Sequence, residues 1–462
     1  MDNQFTISKK QLKILVLLVV IKILYEVCVC IMLPERYLLW SFEKNINWDY
    51  LVWELPIFLL ISLYYCQRYD DISSYSYITT LLFLFYFIPT NSALVLSGVD
   101  AGYYALSNLF AGLLIIVFAS SAQKEKRLTE EALCSYGIDE EELFIDNVLS
   151  SPKLWWVAKL FCILVCALTI VNVYLYNGLN FAGIFNEMYS VRAQYASHAS
   201  DITGSLSSYL TLIITGLGGW FLPLYLYFSI KKGSILDIIL SIFTIVANFT
   251  IEMQKSSLMI VLIVFGIIWL EKRNKLSIIS DTVIKAFLLM LLLALIEFII
   301  RGDSVLFTVF IRRMLYIPAY INQKYYVFFS INKKIFFTQD AFLIQNILQK
   351  LFGRAYTQSS VAVISMECFG GQLPSPNTGL FAEAYSQIGI FGLLVFPFLY
   401  RYITKKVIKL SSVYGRGATY IVGFRFVLVM TSVFVLTSST FIGILLFIGL
   451  TFLIKMLVNS HH

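Results

Sequence analysis

Long apolar runs separated by short polar segments are the main feature of this sequence. The hydrocarbon core of a bilayer is about 30 Å thick and needs about 20 apolar residues in a helix. Twelve runs come near that length, and helices are predicted for all of them because lipid offers no partner for open backbone groups. The predicted spans lie near residues 11–33, 50–65, 77–97, 103–121, 154–177, 208–230, 234–250, 256–270, 282–300, 379–400, 418–436 and 439–458.

The composition agrees with a polytopic membrane protein. Of the 462 residues, 59% are hydrophobic and 14% charged, whereas soluble domains are about a quarter charged. Of the seven cysteines, only Cys368 falls in a predicted outer loop, so no disulfide framework is expected. We therefore predict an all-α fold, with residues 1–462 forming a single polytopic membrane domain.

Lysine and arginine are distributed unevenly between the two sides that these spans define. With the N-terminus in the cytoplasm, 19 fall in inner segments and four in short outer loops. Cytoplasmic loops normally carry this excess, so both termini are predicted to be cytoplasmic. The inner set is Lys9, Lys10, Lys13, Arg68, Lys124, Lys126, Arg127, Lys153, Lys231, Lys232, Lys272, Arg273, Lys275, Arg401, Lys405, Lys406, Lys409, Arg416 and Lys455. The outer set is Arg36, Lys44, Arg192 and Lys255.

Three polar segments interrupt the spans. Residues 122–153 are predicted to form a charged cytoplasmic loop, 178–207 a smaller outer loop and 301–378 a large outer loop. The large loop is rich in Phe, Tyr, Ile and Leu, unlike disordered segments. Within it, residues 333–351 place apolar groups at roughly helical spacing, which predicts an amphipathic helix on the membrane face or over the helix bundle.

The large outer loop is also basic. It contains eight Lys or Arg and three acids, and eight minus three leaves +5 on the side where cations are usually sparse. Guanidinium groups match the oxygens of pyrophosphate, which favours an anionic lipid-linked ligand. The alternative is that these cations contact phospholipid headgroups. The candidate pyrophosphate-binding residues on the outer side are Arg192, Lys255, Arg301, Arg312 and Arg313.

Ionisable residues also occur in or next to the predicted spans. Lys22 and Glu26 are four residues apart, as are Glu297 and Arg301, so each pair shares one helix face. We favour a structural role for the first pair, whereas a structural and a functional role are both open for the second. Two further intramembrane charges, whose partners the sequence does not identify, are Glu54 and Arg425.

The last informative segment opens a predicted span from the outer side. Residues 375–392 read SPNTGLFAEAYSQIGIFG, with Glu383 about one helical turn inside and two glycines, Gly389 and Gly392, spaced for close helix contact. The sequence has no metal-ligand spacing, phosphate-cradling glycine loop or nucleophile elbow. It therefore predicts no cofactor and no metal ligands, and the lack of a long Lys/Arg tract predicts no nucleic-acid partner.

Taken together, the chain resembles the O-antigen polymerase family of the Wzy type. The residues that carry the resemblance are Val191-Arg192, Lys255-Ser256, Arg312-Arg313-Met314 through Pro318 with Tyr325–Ser330, and Asn377–Gly392. Two departures occur. Arg192 and Gly204 are separated by eleven residues, where some members have ten. Pro376 stands where related O-antigen ligases carry His, which disfavours a ligase and a histidine base in that segment.

The resemblance implies a GT-C-like glycosyltransferase of the bacterial inner membrane, with about a dozen spans and the loops 178–207 and 301–378 in the periplasm. It implies that the enzyme polymerises repeat units linked to undecaprenyl pyrophosphate, transferring the growing chain to a new lipid-linked unit. No nucleotide sugar is needed. The expected partners are lipid-linked oligosaccharides, membrane lipids and a chain-length regulator protein.

Glu383 is the candidate general base, because it is the only acid in the segment with the best family match. A base must lie within about 3 Å of the acceptor hydroxyl. The alternative is a structural ion pair with an arginine. If the base lies elsewhere, the next candidates are Glu367, Asp303 and His198.

Two other classes of function stay open. A flippase should have short outer loops and ionisable residues along a central pathway, and the long 301–378 loop argues against it. A non-catalytic scaffold would show no convergence of outer cations on one cavity.

Overall fold

The structure is a computed structural model whose described part is helical apart from one short strand pair. In that pair, β1 (Arg36–Tyr37) runs antiparallel to β2 (Phe42–Glu43). The prediction of an all-α fold is therefore confirmed. The structure describes residues 8–34, 36–37, 42–43, 45–70, 73–133, 152–175, 218–252, 256–338, 345–353, 355–356, 358–371, 378–432, 434–435, 443–445, 447–449 and 451.

Helical residues occur within every predicted apolar run. The α-helices are α1 Lys9–Met32, α2 Leu51–Arg68, α3 Ser74–Leu82, α4 Ile88–Asn91, α5 Ala93–Ser97, α6 Ala101–Leu133, α7 Pro152–Leu175, α8 Gly218–Lys232, α9 Ile235–Glu252, α10 Ser256–Lys272, α11 Ile279–Arg301, α12 Ile317–Ile331, α13 Gln345–Phe352, α14 Ser360–Phe369, α15 Phe381–Ile388, α16 Ile390–Ser411 and α17 Arg416–Ser432. The π-helical segments are Phe83–Phe87 and Phe307–Tyr316, and the 3-10 turns are Trp48–Tyr50, Leu276–Ile278 and Ser412–Tyr414.

Four helices of the described chain are long and apolar enough to cross a membrane. They are Lys9–Met32, Trp48–Arg68, Ala101–Gln123 and Leu276–Arg301. Helices of this length and composition are typical of a membrane protein. The count of about twelve spans, the GT-C-like fold and the orientation of the termini remain predictions.

The contacts divide the chain into two compact units. Unit 1 comprises Met1–Cys134, Ser277–Ile403 and Val429–Thr437. Unit 2 comprises Ser135–Leu276, Thr404–Leu428 and Ser438–His462.

In unit 1, α1 packs against α11 and α2. The helix begins at a capping box, in which the Ser8 hydroxyl accepts from the Gln11 N–H and the Gln11 side chain accepts from the Ser8 N–H. Its other side carries large exposed apolar residues, among them Leu12 and Val16. An apolar exterior of this kind is what a lipid-facing helix requires.

The third predicted span, 77–97, is not one continuous α-helix. Three short helices, α3, α4 and α5, follow one another, with the π-helical segment Phe83–Phe87 after the first. Pro89 explains the irregular turn, because a proline inside a helix lacks the N–H that would bond to the carbonyl four residues earlier.

The predicted span 379–400 is likewise divided, into α15 and α16. Gly389 separates them in a backbone conformation with φ +64°, which side chains rarely adopt. A Cβ added at Gly392 would lie 2.0 Å from the carbonyl oxygen of Ala384. Gly392 is therefore needed for a close backbone approach, and Gly389 for the change in chain direction.

In unit 2, α7 and α8 both pack against α9. The buried Asp237 of α9 is paired with Lys159 at 3.0 Å and accepts a hydrogen bond from the Trp155 indole at 3.2 Å. The sequence did not identify partners for Arg425. In the structure the Arg425 guanidinium lies against Gly219, and a Cβ added at Gly219 would be 2.7 Å from it. These contacts hold charged groups within a helical unit.

Candidate functional site

The candidate site lies in unit 1, where α12 packs against α15. Two of the segments that carry the family resemblance therefore meet in space. The Thr378 hydroxyl donates to the Asn322 side-chain oxygen at 2.9 Å, just before α15 begins. The rings of Tyr326 and Tyr385 lie 5.3 Å apart between centroids.

The loop after α12 also binds the end of α15. The N–H groups of Ile335 and Phe336 donate to the carbonyls of Ser386 and Gln387 at 3.0 and 3.1 Å. The Phe337 N–H donates to the Gln387 side-chain oxygen at 2.7 Å. The last carbonyls of a helix have no hydrogen-bond donor within the helix. For α15, the N–H groups of this loop are the donors.

These bonds correct the predicted amphipathic helix over 333–351. Among the described residues of this range, the structure has a helix only at α13, Gln345–Phe352, while Phe336 and Phe337 adopt left-handed backbone angles of φ +52° and +59°. Helical spacing of apolar residues is a local signal, and here the tertiary hydrogen bonds to α15 override it. Residues 339–344 of the predicted helix lie outside the described residues.

Glu383, the predicted general base, is fully buried on α15. Its carboxylate oxygen Oε2 accepts hydrogen bonds from the Tyr400 hydroxyl at 2.6 Å and from the Val435 N–H at 3.0 Å. These bonds tie α15 to α16 and to the segment around residue 435. A base must reach the acceptor hydroxyl within about 3 Å, so the absence of exposed surface on Glu383 favours a structural role over direct contact with a substrate.

Two of the predicted pyrophosphate-binding residues, Arg312 and Arg313, lie next to each other in the π-helical segment Phe307–Tyr316. Both side chains are half-buried. A wide π-turn often occurs at functional positions, because the extra residue changes which side chains face a given direction. Half-burial also strengthens the electrostatic attraction between a cation and an anion, because water screens the charges less.

The third arginine of the large loop, Arg301, ends α11 with 56% of its side chain exposed. Its guanidinium pairs with Glu297 at 3.4 Å and with Asp303 at 3.5 Å, so the predicted pairing of Glu297 with Arg301 is confirmed. Glu297 also accepts from the Ser304 hydroxyl at 2.8 Å and the Leu306 N–H at 3.1 Å, which ties the end of α11 to the next segment. Arg192 and Lys255, the other two candidates, lie outside the described residues.

Sequence reasoning missed the importance of Lys334. Its ammonium group lies 4.1 Å from the ring centroid of Tyr385 and donates to the Phe329 carbonyl. Burial lowers the pKa of Lys334 to about 8. In the sequence, Lys334 is one of the eight cations of the large outer loop, and no local pattern distinguishes it from the neighbouring Lys333.

A second charged group in unit 1 lies inside the candidate spans. The buried Lys22 ammonium bonds to Glu26, to Glu54 at 2.9 Å and to the Ser92 hydroxyl at 3.0 Å. The predicted Lys22–Glu26 pair is confirmed, and Glu54 has a partner that the sequence could not name. Its other carboxylate oxygen accepts from the Val95 N–H at 2.8 Å. Apart from the Lys22–Glu26 pair within α1, each of these bonds joins two different elements of unit 1, which fits a structural role.

No protein-family model, no curated protein and no solved structure matches this chain. The described residues form helices apart from the β1–β2 pair and connecting segments, and four of the helices have the length and composition typical of membrane spans. Within the described residues no group of three or more His, Cys, Asp or Glu side chains could hold a metal ion.

Proposed function

We propose that the protein polymerises lipid-linked oligosaccharide repeat units at the outer, periplasmic face of the bacterial inner membrane. One observation carries the proposal: the basic and aromatic segment from Phe307 to Thr338 is folded, and its α12 packs against α15. A solvated loop that only contacts headgroups would need no such packing. Half-buried cations on a folded surface suit a substrate with a pyrophosphate group.

The proposed reaction transfers the growing chain from undecaprenyl pyrophosphate to a new lipid-linked unit. A hydroxyl of the acceptor sugar forms a bond to the anomeric carbon of the chain, while the bond from that carbon to the pyrophosphate oxygen breaks. The hydroxyl proton passes to a base, and undecaprenyl pyrophosphate leaves with its negative charge. Fixed cations stabilise the charge that develops on the leaving group.

Arg312 and Arg313 are the described residues best suited to that task, with Arg192, Lys255 and Arg301 as the further predicted members of the set. An arginine fork binds two phosphate oxygens at once, which a lysine cannot reproduce. Arg312→Lys and Arg313→Lys should therefore reduce polymer formation although the charge is kept. Full polymer from Ala variants at all five positions, with normal expression, would remove this role.

Deleting the gene in its host and separating the lipopolysaccharide on a gel tests the function. Loss of the polymer ladder with retention of single-repeat molecules is expected for a polymerase. Loss of all repeat units would indicate a flippase or an O-antigen ligase, and an unchanged ladder would contradict all three. Restoring the ladder with the wild-type gene on a plasmid is the control.

The buried charges of Lys22, Glu26 and Glu54 favour the flippase as the second candidate, because transporters use ionisable residues within spans. A transport pathway must be reached by the substrate, whereas these three side chains are at most 2% exposed and bond to one another. The polymerase is therefore the better supported proposal.

A further inference from the structure

An exposed carboxylate stands at the start of α6. Asp100 caps this helix, because its Oδ1 accepts from the Tyr103 N–H at 3.0 Å. The residue is exposed, as are Ala101 and Gly102 after it. The predicted topology puts residues 98–102 on the outer side, the same side as residues 301–378.

The segment that follows Asp100 is in contact with α12. The Tyr103 hydroxyl donates to the Ala319 carbonyl at 2.8 Å. A Cβ added at Gly102 would lie 2.7 Å from the Tyr326 hydroxyl and 3.0 Å from Oδ1 of Asp100. The phenol and the carboxylate therefore flank the same exposed glycine.

The ring of Tyr326 is half-exposed and rests on two buried rings. The centroid of Tyr103 is 5.8 Å away and that of Tyr385 is 5.3 Å away. Lys334 lies over the ring of Tyr385, with its ammonium group 4.1 Å from the ring centroid. Asp100 and Lys334 therefore flank the Tyr326–Tyr385 ring pair, which combines an anion, a supported aromatic ring and a cation.

We infer that Asp100, Tyr326 and Lys334 form the subsite that binds the acceptor sugar of a lipid-linked repeat unit. This inference rests on the proposed function. The apolar C–H face of a pyranose packs on the exposed ring of Tyr326, as in pockets that combine aromatic walls with a few polar groups. The carboxylate of Asp100 accepts a hydrogen bond from a sugar hydroxyl, and the ammonium of Lys334 donates to another oxygen of the ligand.

Helix capping alone does not explain the arrangement. Capping engages Oδ1 of Asp100, and it requires neither the half-exposed Tyr326 nor a glycine at 102. Gly102 has no left-handed backbone angle that would demand glycine; its lack of a side chain allows the Tyr326 hydroxyl to lie 2.7 Å from the position of an added Cβ, which is itself 3.0 Å from Oδ1 of Asp100. The phenol and the carboxylate therefore lie close enough for one sugar hydroxyl to contact both.

The test is equilibrium binding to the purified full-length protein in nanodiscs. The probes are undecaprenyl-pyrophosphate-linked repeat units, extracted from a host that lacks this gene, and undecaprenyl pyrophosphate without sugar. Asp100→Asn keeps an oxygen that can cap α6 but loses the charge. Gly102→Ala places a Cβ 2.7 Å from the Tyr326 hydroxyl and so displaces the phenol, while alanine remains a good helix former. Asp49→Asn and Lys333→Met are matched controls, because both residues are exposed, predicted to be outside and not part of the subsite.

Wild-type protein is expected to bind the sugar-bearing lipid more tightly than the sugar-free lipid. Asp100→Asn and Lys334→Met should each weaken sugar-lipid binding about tenfold or more, the loss expected for one charge-assisted hydrogen bond. Gly102→Ala should also weaken it by displacing the phenol, and the controls should not. Equal binding of the two lipids by wild-type protein, no binding of the sugar-bearing lipid, or equal losses in variants and controls would each overturn the subsite. The gel of the deletion strain decides the polymerase function separately: sugar-dependent binding with no loss of the ladder would leave the subsite in place and remove the polymerase.

Discussion

Unit 1 contains two groups of charged residues that differ in their burial and in their exposure to a ligand. In the interior group, Lys22 bonds to Glu26, Glu54 and Ser92, and all four residues are buried. In the surface group, Asp100 is exposed and Lys334 half-buried beside aromatic rings. The comparison teaches that burial with complete pairing is typical of structure, whereas partly exposed charge beside a supported ring is typical of binding.

Lys22→Met should have the largest effect on stability. The substitution leaves Glu26 and Glu54 as two carboxylates in an apolar interior without their cation. Breaking a buried ion pair from one side costs about 3–5 kcal/mol, which would lower the thermal unfolding temperature in nanodiscs and the yield of folded protein. Lys13→Met, at an exposed position of the same helix, is the control. If Lys22→Met were as stable as the wild type, the structural role of the interior group would be contradicted.

Replacing Glu383 should have the next largest effect, and it separates two roles. Gln keeps the shape but not the charge, so Glu383→Gln should weaken the bonds from Tyr400 and Val435. Tyr400→Phe removes one of those bonds without touching Glu383. We expect both variants to lower the free energy of unfolding by about 1–3 kcal/mol and to reduce polymer in proportion to the folded protein lost. A Glu383→Gln variant that unfolds like wild type yet elongates no lipid-linked repeats would restore Glu383 as the general base.

The sequence predicted local features well and long-range ones poorly. It predicted a helix where α1, α2, α6 and α11 lie, and it paired Lys22 with Glu26, because helical spacing and apolar length act within one segment. It could not pair Lys22 with Glu54, 32 residues later, since that contact depends on how α1 packs against α2. It also missed the division of the span at Gly389, where backbone geometry decides the structure.

The candidate site shows the same division between local and tertiary information. The sequence selected the segment containing Glu383, but only the structure shows its bonds to Tyr400 and Val435. The sequence does not identify Asp100 as a site residue, because a lone acid between two apolar runs forms no motif. Its position beside Tyr326 arises from the contact of α6 with α12, more than 200 residues apart in the chain.

The charge of Lys334 gives the surface group a pH dependence. Burial lowers its pKa to about 8 from an ordinary value of 10.5, so the ammonium loses its proton when the pH rises through about 8. Between those two values the unfolded chain binds a proton that the folded protein does not, so the stability contributed by this group rises with pH. Binding of an anionic lipid by the ammonium falls as the pH rises through about 8. Sugar-lipid binding measured at pH 7 and pH 9 should therefore decrease more in wild type than in Lys334→Met. An identical decrease in both would exclude this lysine as a ligand-binding cation.

Arg301→Ala should have the smallest effect on stability and is therefore the sharpest test of an exposed cation. The guanidinium is more than half exposed, and ion pairs of this kind contribute about 0–1 kcal/mol because water and salt screen them. Loss of the pairs with Glu297 and Asp303 should leave the unfolding temperature close to that of wild type. If Arg301 binds pyrophosphate, polymer formation falls although stability does not. Asp303→Asn then serves as the opposite change, because it removes an acid that competes with the ligand for this arginine. If Arg301→Ala formed as much polymer as the wild type, Arg301 would have only the role of a surface ion pair. The pyrophosphate would then be bound by the half-buried Arg312 and Arg313.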